Sequence, residues 1–182
     1  MAGKRGSTGW NLTKKGAGFM AGFAAGKLIG HNGGHEVASW LTGSRLDWSA
    51  PASGDWRPQW HLNENDRQKR QLVLFGGFAE QILSTEIILG WGKIPKDNPF
   101  VLGWLAWNFV EPIVYTVLHE TRDGGYCDLA LLEEVGVNAH LVEAGLLAHV
   151  AISAFRLYKN PGFPVFVKVT SKEIGIFFGK RF

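Results

Sequence analysis

The sequence predicts an all-α membrane protein of about four transmembrane helices, with polar residues facing the interior of the helix bundle. Four apolar stretches carry this prediction, each at least about 20 residues long, which is the length that a helix needs to cross a bilayer. They span residues 17–43, 72–91, 99–118 and 137–158. Charged residues make up 19% of the chain, below the roughly 25% of an ordinary soluble domain. Every stretch also contains ionisable groups, so a soluble bundle of long buried helices is the alternative.

Positive charge is distributed unequally around these stretches. The 182 residues form one membrane domain, with a basic N-terminal segment at 1–16 and a basic C-terminal tail at 159–182. With both termini in the cytoplasm, twelve Lys and Arg residues lie inside and six lie outside. This bias follows the positive-inside rule and predicts an integral membrane protein with both termini cytoplasmic. The lipid bilayer is the expected partner, and nucleic acid is not, because the basic tails carry no nucleic-acid-binding motif.

The first apolar stretch contains a row of five glycines at four-residue spacing. The row consists of Gly18, Gly22, Gly26, Gly30 and Gly34. In a water-exposed helix each glycine would cost about 1 kcal/mol relative to alanine. The period therefore favours a helix that packs closely along this face against another helix, within the chain, in a membrane partner or in a second copy. A flexible glycine-rich loop is the alternative.

Two histidines follow the same four-residue spacing within the first stretch. His31 and His35 lie one turn apart on one helical face, which allows a single metal ion to accept both imidazoles. The string GHNGGHEVASWLTGSRLDW resembles the zinc-binding helix of intramembrane metallopeptidases of the site-2 protease type. This resemblance covers about 20 residues and implies that His31 and His35 are zinc ligands. It also implies a polytopic, membrane-embedded peptidase.

One position departs from that family's pattern. Its general base is the glutamate after the first histidine, and Asn32 occupies this position here. An amide cannot accept a proton from zinc-bound water near neutral pH. Glu36 follows the second histidine instead and is the candidate catalytic residue nearest to the pair, although it lies about 100° around the helix from His35. The resemblance therefore supports metal binding more than peptide hydrolysis, and a catalytically degenerate relative is expected.

A third metal ligand must come from elsewhere in the chain. Asp128 is the first choice, because it follows a GG turn after the third stretch and could fold back toward the histidines. His119 is the second choice, at the end of a polar stripe on that stretch. Zinc is the expected metal because the core of the motif is rich in histidine, although imidazole also suits iron, copper and nickel.

The remaining stretches also carry polar residues at helical spacing. Histidine and glutamate on several helices are typical of di-iron bundles, but those require Glu-x-x-His on two helices. Within the apolar stretches only the reverse string occurs, once, at His140 and Glu143. The competing hypothesis is a non-enzymatic membrane subunit or scaffold in which polar residues specify helix packing. Cys127 is the only cysteine, which excludes a disulfide scaffold and cysteine-rich zinc folds.

Overall fold

The computed structural model describes residues 6–47, 59–61, 66–121, 127–159, 165–169 and 174–178. Within these ranges the fold is built from α-helices, as predicted, and strands occur only in two short hairpins. The helices are α1 (Gly6–Ala25), α2 (Asn32–Thr42), α3 (Arg67–Gly90), α4 (Pro99–Glu120), α5 (Asp128–Glu134) and α6 (Ala139–Lys159). A π-helical segment, Gly26–His31, joins α1 to α2. Two short antiparallel hairpins pair β1 (Arg45–Asp47) with β2 (Gln59–His61) and β3 (Val165–Val169) with β4 (Ile174–Phe178).

Three helices are long and apolar enough to cross a membrane: α3, α4 and α6, with 24, 22 and 21 residues. They correspond to the predicted stretches 72–91, 99–118 and 137–158, and their length and composition indicate a membrane protein. The fourth predicted span, 17–43, is helical but is not among the candidate spans of the described residues. Glycines, histidines and a lysine lower its hydropathy, so the predicted count of four is approximate.

The helix ends follow local sequence signals. Asp66 caps α3 by accepting a hydrogen bond from the backbone N–H of Lys69 at 3.1 Å. This cap places the basic residues that precede the second apolar stretch in the first turn of α3 rather than in a loop. Asn98 caps α4 in the same way, accepting from the N–H of Phe100 at 2.8 Å. Helix α2 ends at Gly43, whose φ of +66° suits glycine.

The glycine row lets the N-terminal helices approach their neighbours backbone to backbone. A Cβ atom at Gly22 would overlap the carbonyl oxygen of Phe100 on α4, and a Cβ at Gly103 would overlap that of Phe19 on α1. Further along, Gly34 of α2 meets Gly76 of α3 with equally little space. The row thus packs against α4 and α3 of the same chain. The flexible-loop alternative is wrong, since residues 17–34 are helical, and self-association stays a prediction.

The π-helical segment separates the part of the N-terminal helix that packs on α4 from the part that packs on α3. Its hydrogen bonds include one from the N–H of Asn32 to the carbonyl of Lys27, five residues earlier. Segments of this kind occur inside α-helices as single-turn bulges, frequently at functional sites. Here the segment ends at His31, whose side chain is buried.

Helix α5 is held in place by the larger of two apolar clusters. Leu129 and Leu132 of α5 are fully buried against Leu74 and Phe78 of α3 and Leu146 of α6. Burying a leucine side chain contributes about 1.5–3 kcal/mol where the alternative is water. This packing fixes the first residue of α5, Asp128, against the N-terminal helices.

Besides these apolar clusters, the bundle buries polar side chains between its helices and exposes large apolar side chains on its outer surface. Several polar side chains are buried between the helices, namely Gln81, Thr85, Asn108, Glu111, Glu143 and Ser153. Large apolar side chains on the same three helices are exposed, among them Leu83, Ile87, Val117, Leu141, Ile152 and Phe155. Exposed apolar surface of this extent marks contact with a membrane or a partner. The arrangement favours the membrane over the soluble-bundle alternative.

Candidate metal centre

The two predicted histidine ligands lie side by side in the interior of the bundle. His31 ends the π-helical segment and His35 lies one turn further on in α2. Each is only 2% exposed, and their ring centroids are 4.6 Å apart. Both rings occupy the space beside Gly77 of α3, where a Cβ atom would lie 2.5 Å from Cε1 of His31 and 2.6 Å from Nε2 of His35. Glycine at this position is therefore required for the two imidazoles to fit.

Asp128 completes a group of three possible metal ligands. Its Oδ2 lies 2.9 Å from Nε2 of His31 and 3.2 Å from Nε2 of His35. The two Nε2 atoms are 3.0 Å apart. All three side chains are buried, and each offers one ligand atom to the same small volume. The structure thus brings together His31, His35 and the residue predicted as first choice for the third ligand.

The other nitrogen of each imidazole lies beside an oxygen atom. Nδ1 of His35 donates to the backbone carbonyl of Val73 at 2.7 Å. Nδ1 of His31 lies 2.9 Å from Oε2 of Glu111, an ion-pair distance, and the same carboxylate oxygen accepts a hydrogen bond from the side-chain amide of Gln81. In metal sites, ligating histidines almost always direct their second nitrogen to a carboxylate, a backbone carbonyl or water. His35 shows that arrangement, whereas Nδ1 of His31 lies close to a carboxylate without forming a hydrogen bond to it.

These contacts determine where the imidazole protons reside. A backbone carbonyl only accepts hydrogen bonds, so Nδ1 of His35 carries the proton, and Nε2 of the neutral ring presents a lone pair. The same holds for His31 when its Nδ1–H faces the Glu111 carboxylate. Two lone pairs and the carboxylate of Asp128 then converge within 3.2 Å of one another. Three acceptors this close require a cation between them, which is either a metal ion or an added proton.

Asp128 is ionised at neutral pH. Its complete burial would raise the pKa of the carboxyl group, because a low-dielectric environment disfavours charge. When no metal is bound, protonated Nε2 atoms of His31 and His35 donate hydrogen bonds to the carboxylate, and these bonds and the positive charge of the rings outweigh burial and hold the pKa of Asp128 well below its usual range. The side chain is therefore in the form that binds a metal.

The other predicted site residues lie elsewhere. Glu36 is exposed on α2, because one residue beyond His35 is about 100° around the helix. His119, the second choice for the third ligand, belongs to a separate group with Glu120, His140 and Glu143. Its prediction as a ligand of the His31/His35 pair is corrected, since α5 places Asp128 there instead.

Three residues that the sequence reasoning did not assign to the metal centre belong to it. Gln81 donates a side-chain hydrogen bond to Glu111 between α3 and α4, and Oε2 of Glu111 lies 2.9 Å from Nδ1 of His31. Gly77 had no predicted role. The adjacent pair Gly76 and Gly77 in an otherwise bulky span was the available signal, since glycine inside a helix often marks a close approach.

A polar network adjoins the centre and ties α3 to α4. The side-chain amide of Asn108 donates to the carbonyl of Gln81 at 3.2 Å, to Oγ of Ser84 at 2.9 Å and to Oγ1 of Thr85 at 3.0 Å. The indole N–H of Trp104 donates to Ser84 at 3.2 Å. These bonds fix the rotation of α4, and hence the position of Glu111, which lies three residues after Asn108.

Comparison of the chain with protein-family models, with curated proteins and with solved structures found no match. The functional interpretation therefore rests on the geometry of the site. The likeness to intramembrane zinc peptidases stays a prediction carried by the string around His31 and His35.

Proposed function

We propose that this protein is a membrane-embedded metal-binding protein in which His31, His35 and Asp128 hold a divalent transition metal, with zinc the best candidate. The observation that carries the proposal is the convergence of both Nε2 atoms on Oδ2 of Asp128, while Nδ1 of His35 donates to Val73 and Nδ1 of His31 lies 2.9 Å from Glu111. Two imidazoles and one carboxylate are ligands that zinc commonly binds.

The spacing of the ligand atoms supports this assignment. Zinc bonds of about 2.0–2.1 Å in tetrahedral geometry place ligand atoms about 3.3 Å apart. The three separations between His31, His35 and Asp128 are 2.9, 3.0 and 3.2 Å. Three protein ligands leave the fourth position for water or a substrate, as in catalytic rather than structural zinc sites. Bound zinc would lower the pKa of that water and polarise a substrate oxygen.

A hydrolytic reaction would also need a proton acceptor, and Asn32 cannot supply one. Glu36, the predicted candidate, is exposed. Glu80 is better placed, because its Oε2 is buried without a hydrogen-bond partner beside Gly30, which immediately precedes His31. Because Asn32 occupies the position of the family's general base, we propose metal binding as the primary property, with a degenerate peptidase scaffold as its origin. Peptidase activity that Asn32→Glu creates, and that the wild type lacks, would support this interpretation.

Elemental analysis tests the metal centre directly. Protein with no histidine tag, purified in detergent without added metal, is expected to contain about one metal ion per chain at this centre. The His31→Ala/His35→Ala double variant and Asp128→Asn should lose that ion. His149→Ala is the matched control, since it removes a partly buried histidine of α6 that contacts Glu86 instead. Equal metal content in wild type, double variant and control would overturn the proposal.

We also propose that both termini face the cytoplasm. Three candidate spans alone would place the ends of the chain on opposite sides, so this orientation requires the N-terminal helix to cross as well. The twelve-to-six distribution of basic residues supports it. A reporter enzyme active on only one side of the membrane, fused in turn to each terminus, tests it. Opposite signals from the two fusions would contradict four spans.

The second candidate function is a non-enzymatic subunit whose polar residues specify packing. The network around Asn108 favours it, because these hydrogen bonds join α3 to α4 without any need for a metal. The two candidates differ in their response to metal removal. Chelation should lower the unfolding temperature of a metal protein and leave that of a metal-free scaffold unchanged.

A further inference from the structure

A second group of histidine and glutamate side chains lies where α4 ends and α6 begins. His119 and Glu120 are the last two residues of α4, and His140 and Glu143 occupy the first turns of α6. One ligand atom from each of these four side chains lies within 4.8 Å of the others. Both helices are candidate membrane spans, so their ends place this group at a boundary between membrane and water.

The contacts within the group centre on one buried carboxylate. Oε1 of Glu143 lies 2.7 Å from Nδ1 of His119, and Oε2 lies 3.1 Å from Nδ1 of His140. Nδ1 of His140 is also 3.2 Å from Oε1 of Glu120. A further carboxylate, that of Glu133 on α5, lies 3.3 Å from Nε2 of His119.

The charge of this group is unbalanced. In the described part of the chain, the ion-pair contacts of the three carboxylates are all to His119 or His140. With both imidazoles neutral, the formal charge of the group is that of three carboxylates. Within the described residues, protons on the two rings or a bound cation can compensate this charge. Mixed nitrogen and carboxylate ligands select divalent first-row metals, because calcium and magnesium prefer oxygen alone.

Two of the four side chains are buried and held by their surroundings, and the other two are exposed and free to change rotamer. The side chains of His119 and Glu143 are 9% and 6% exposed, whereas those of His140 and Glu120 are 66% and 55% exposed. The exposed pair can change rotamer at little cost, which allows the ligand atoms to close from 4.8 Å to the roughly 3.3 Å that a tetrahedral metal requires. The exposed side also gives a metal a route in from water.

We propose that His119, Glu120, His140 and Glu143 form a second divalent-metal site, accessible from solvent and separate from the buried centre. His119 follows Glu111 by eight residues on α4, which corresponds to about 12 Å along the helix axis. The two sites share α5, which contributes Asp128 to the buried centre and Glu133 to the edge of this one. The proposal rests on this cluster alone and holds whether or not the buried centre binds metal.

Zinc titration of the full chain tests the proposal. The protein, without a histidine tag and stripped of metal in detergent, is titrated with zinc by calorimetry and with Co²⁺ by visible absorption. The wild type is expected to bind about two ions, and His140→Ala/Glu120→Gln about one. Both substituted side chains are mostly exposed, so the fold should survive, and circular dichroism checks this. His149→Ala is again the matched control and should bind as the wild type does.

The outcomes separate this proposal from the buried centre. If the wild type and His140→Ala/Glu120→Gln bind the same number of zinc ions with the same affinity, the cluster is an ion-pair network and the second site is refuted. If instead His31→Ala/His35→Ala binds as many ions as the wild type while His140→Ala/Glu120→Gln loses one, the buried centre is refuted and the second site stands. Loss of one ion in each variant supports both.

Discussion

The substitution Gly77→Ala tests the metal centre without altering any proposed ligand. The new Cβ atom would lie 2.5 Å from Cε1 of His31, 2.6 Å from its Nδ1 and 2.6 Å from Nε2 of His35. Ordinary contacts between carbon atoms are about 3.5–4.0 Å, so the rings or the helices must move by about 1 Å. Overpacking of a tight interior costs about 1–3 kcal/mol. The gain in helix propensity, about 1 kcal/mol, offsets part of this cost.

The effect on metal binding should exceed the effect on stability. A metal site tolerates errors in ligand distance of only about 0.2 Å, and a displacement of about 1 Å therefore breaks the geometry. We expect Gly77→Ala to fold with the same helical content, to unfold at a moderately lower temperature and to bind zinc at the buried centre at least about tenfold more weakly. Zinc titration and thermal unfolding in detergent measure both quantities.

A matched control is available in α6. No atom outside the local helix lies within 4 Å of the position that a Cβ would take at Gly145. Gly145→Ala should therefore bind zinc as the wild type does and be no less stable. Wild-type zinc affinity and unfolding temperature in Gly77→Ala would show that the imidazoles do not occupy the space beside this glycine, and the reasoning about the centre would fail.

Three further predictions follow from the same contacts. Glu111→Gln removes the charge facing Nδ1 of His31 and should weaken zinc binding by about 10–100-fold, measured by titration, with helical content unchanged. Gly22→Ala should lower the unfolding temperature, because its Cβ overlaps the backbone of Phe100, whereas Gly16→Ala, with open space around it, should not. Metal content should fall as the pH is lowered, because protons compete for the imidazoles while the aspartate ligand, whose pKa is lowered, stays ionised. Dialysis at graded pH followed by elemental analysis measures this.

Local patterns in the sequence predicted the spanning helices and the histidine pair. The apolar stretches gave α3, α4 and α6 because hydropathy is a sum over neighbouring residues, and four-residue spacing fixed His31 and His35 on one face. Helical rotation alone also explains why Glu36 points away. In contrast, the choice between Asp128 and His119 depended on how α5 docks through Leu129 and Leu132, which is a long-range packing result that no local pattern encodes.

Hydropathy alone describes the first apolar stretch, residues 17–43, poorly. Its glycines reduce mean hydropathy, yet they also permit close backbone contacts with neighbouring helices, at Gly22 and Gly34. Hydropathy measures transfer of a single helix into lipid, whereas this helix is shielded from its surroundings by α4 and α3 along one side. Gly77 was missed for a related reason, because its role is defined only by side chains that arrive from another helix.

The π-helical segment sets the rotational phase between the two halves of the N-terminal helix. Its wider turn accommodates one residue more than an α-helical turn, and one residue corresponds to about 100° of rotation. Removing a residue from this segment would therefore leave α1 seated on α4 and turn α2 by more than a quarter of a revolution, which would carry His35 away from Asp128. The single added residue therefore sets the rotation at which the glycine face of α1 packs on α4 while the histidine face of α2 points toward Asp128.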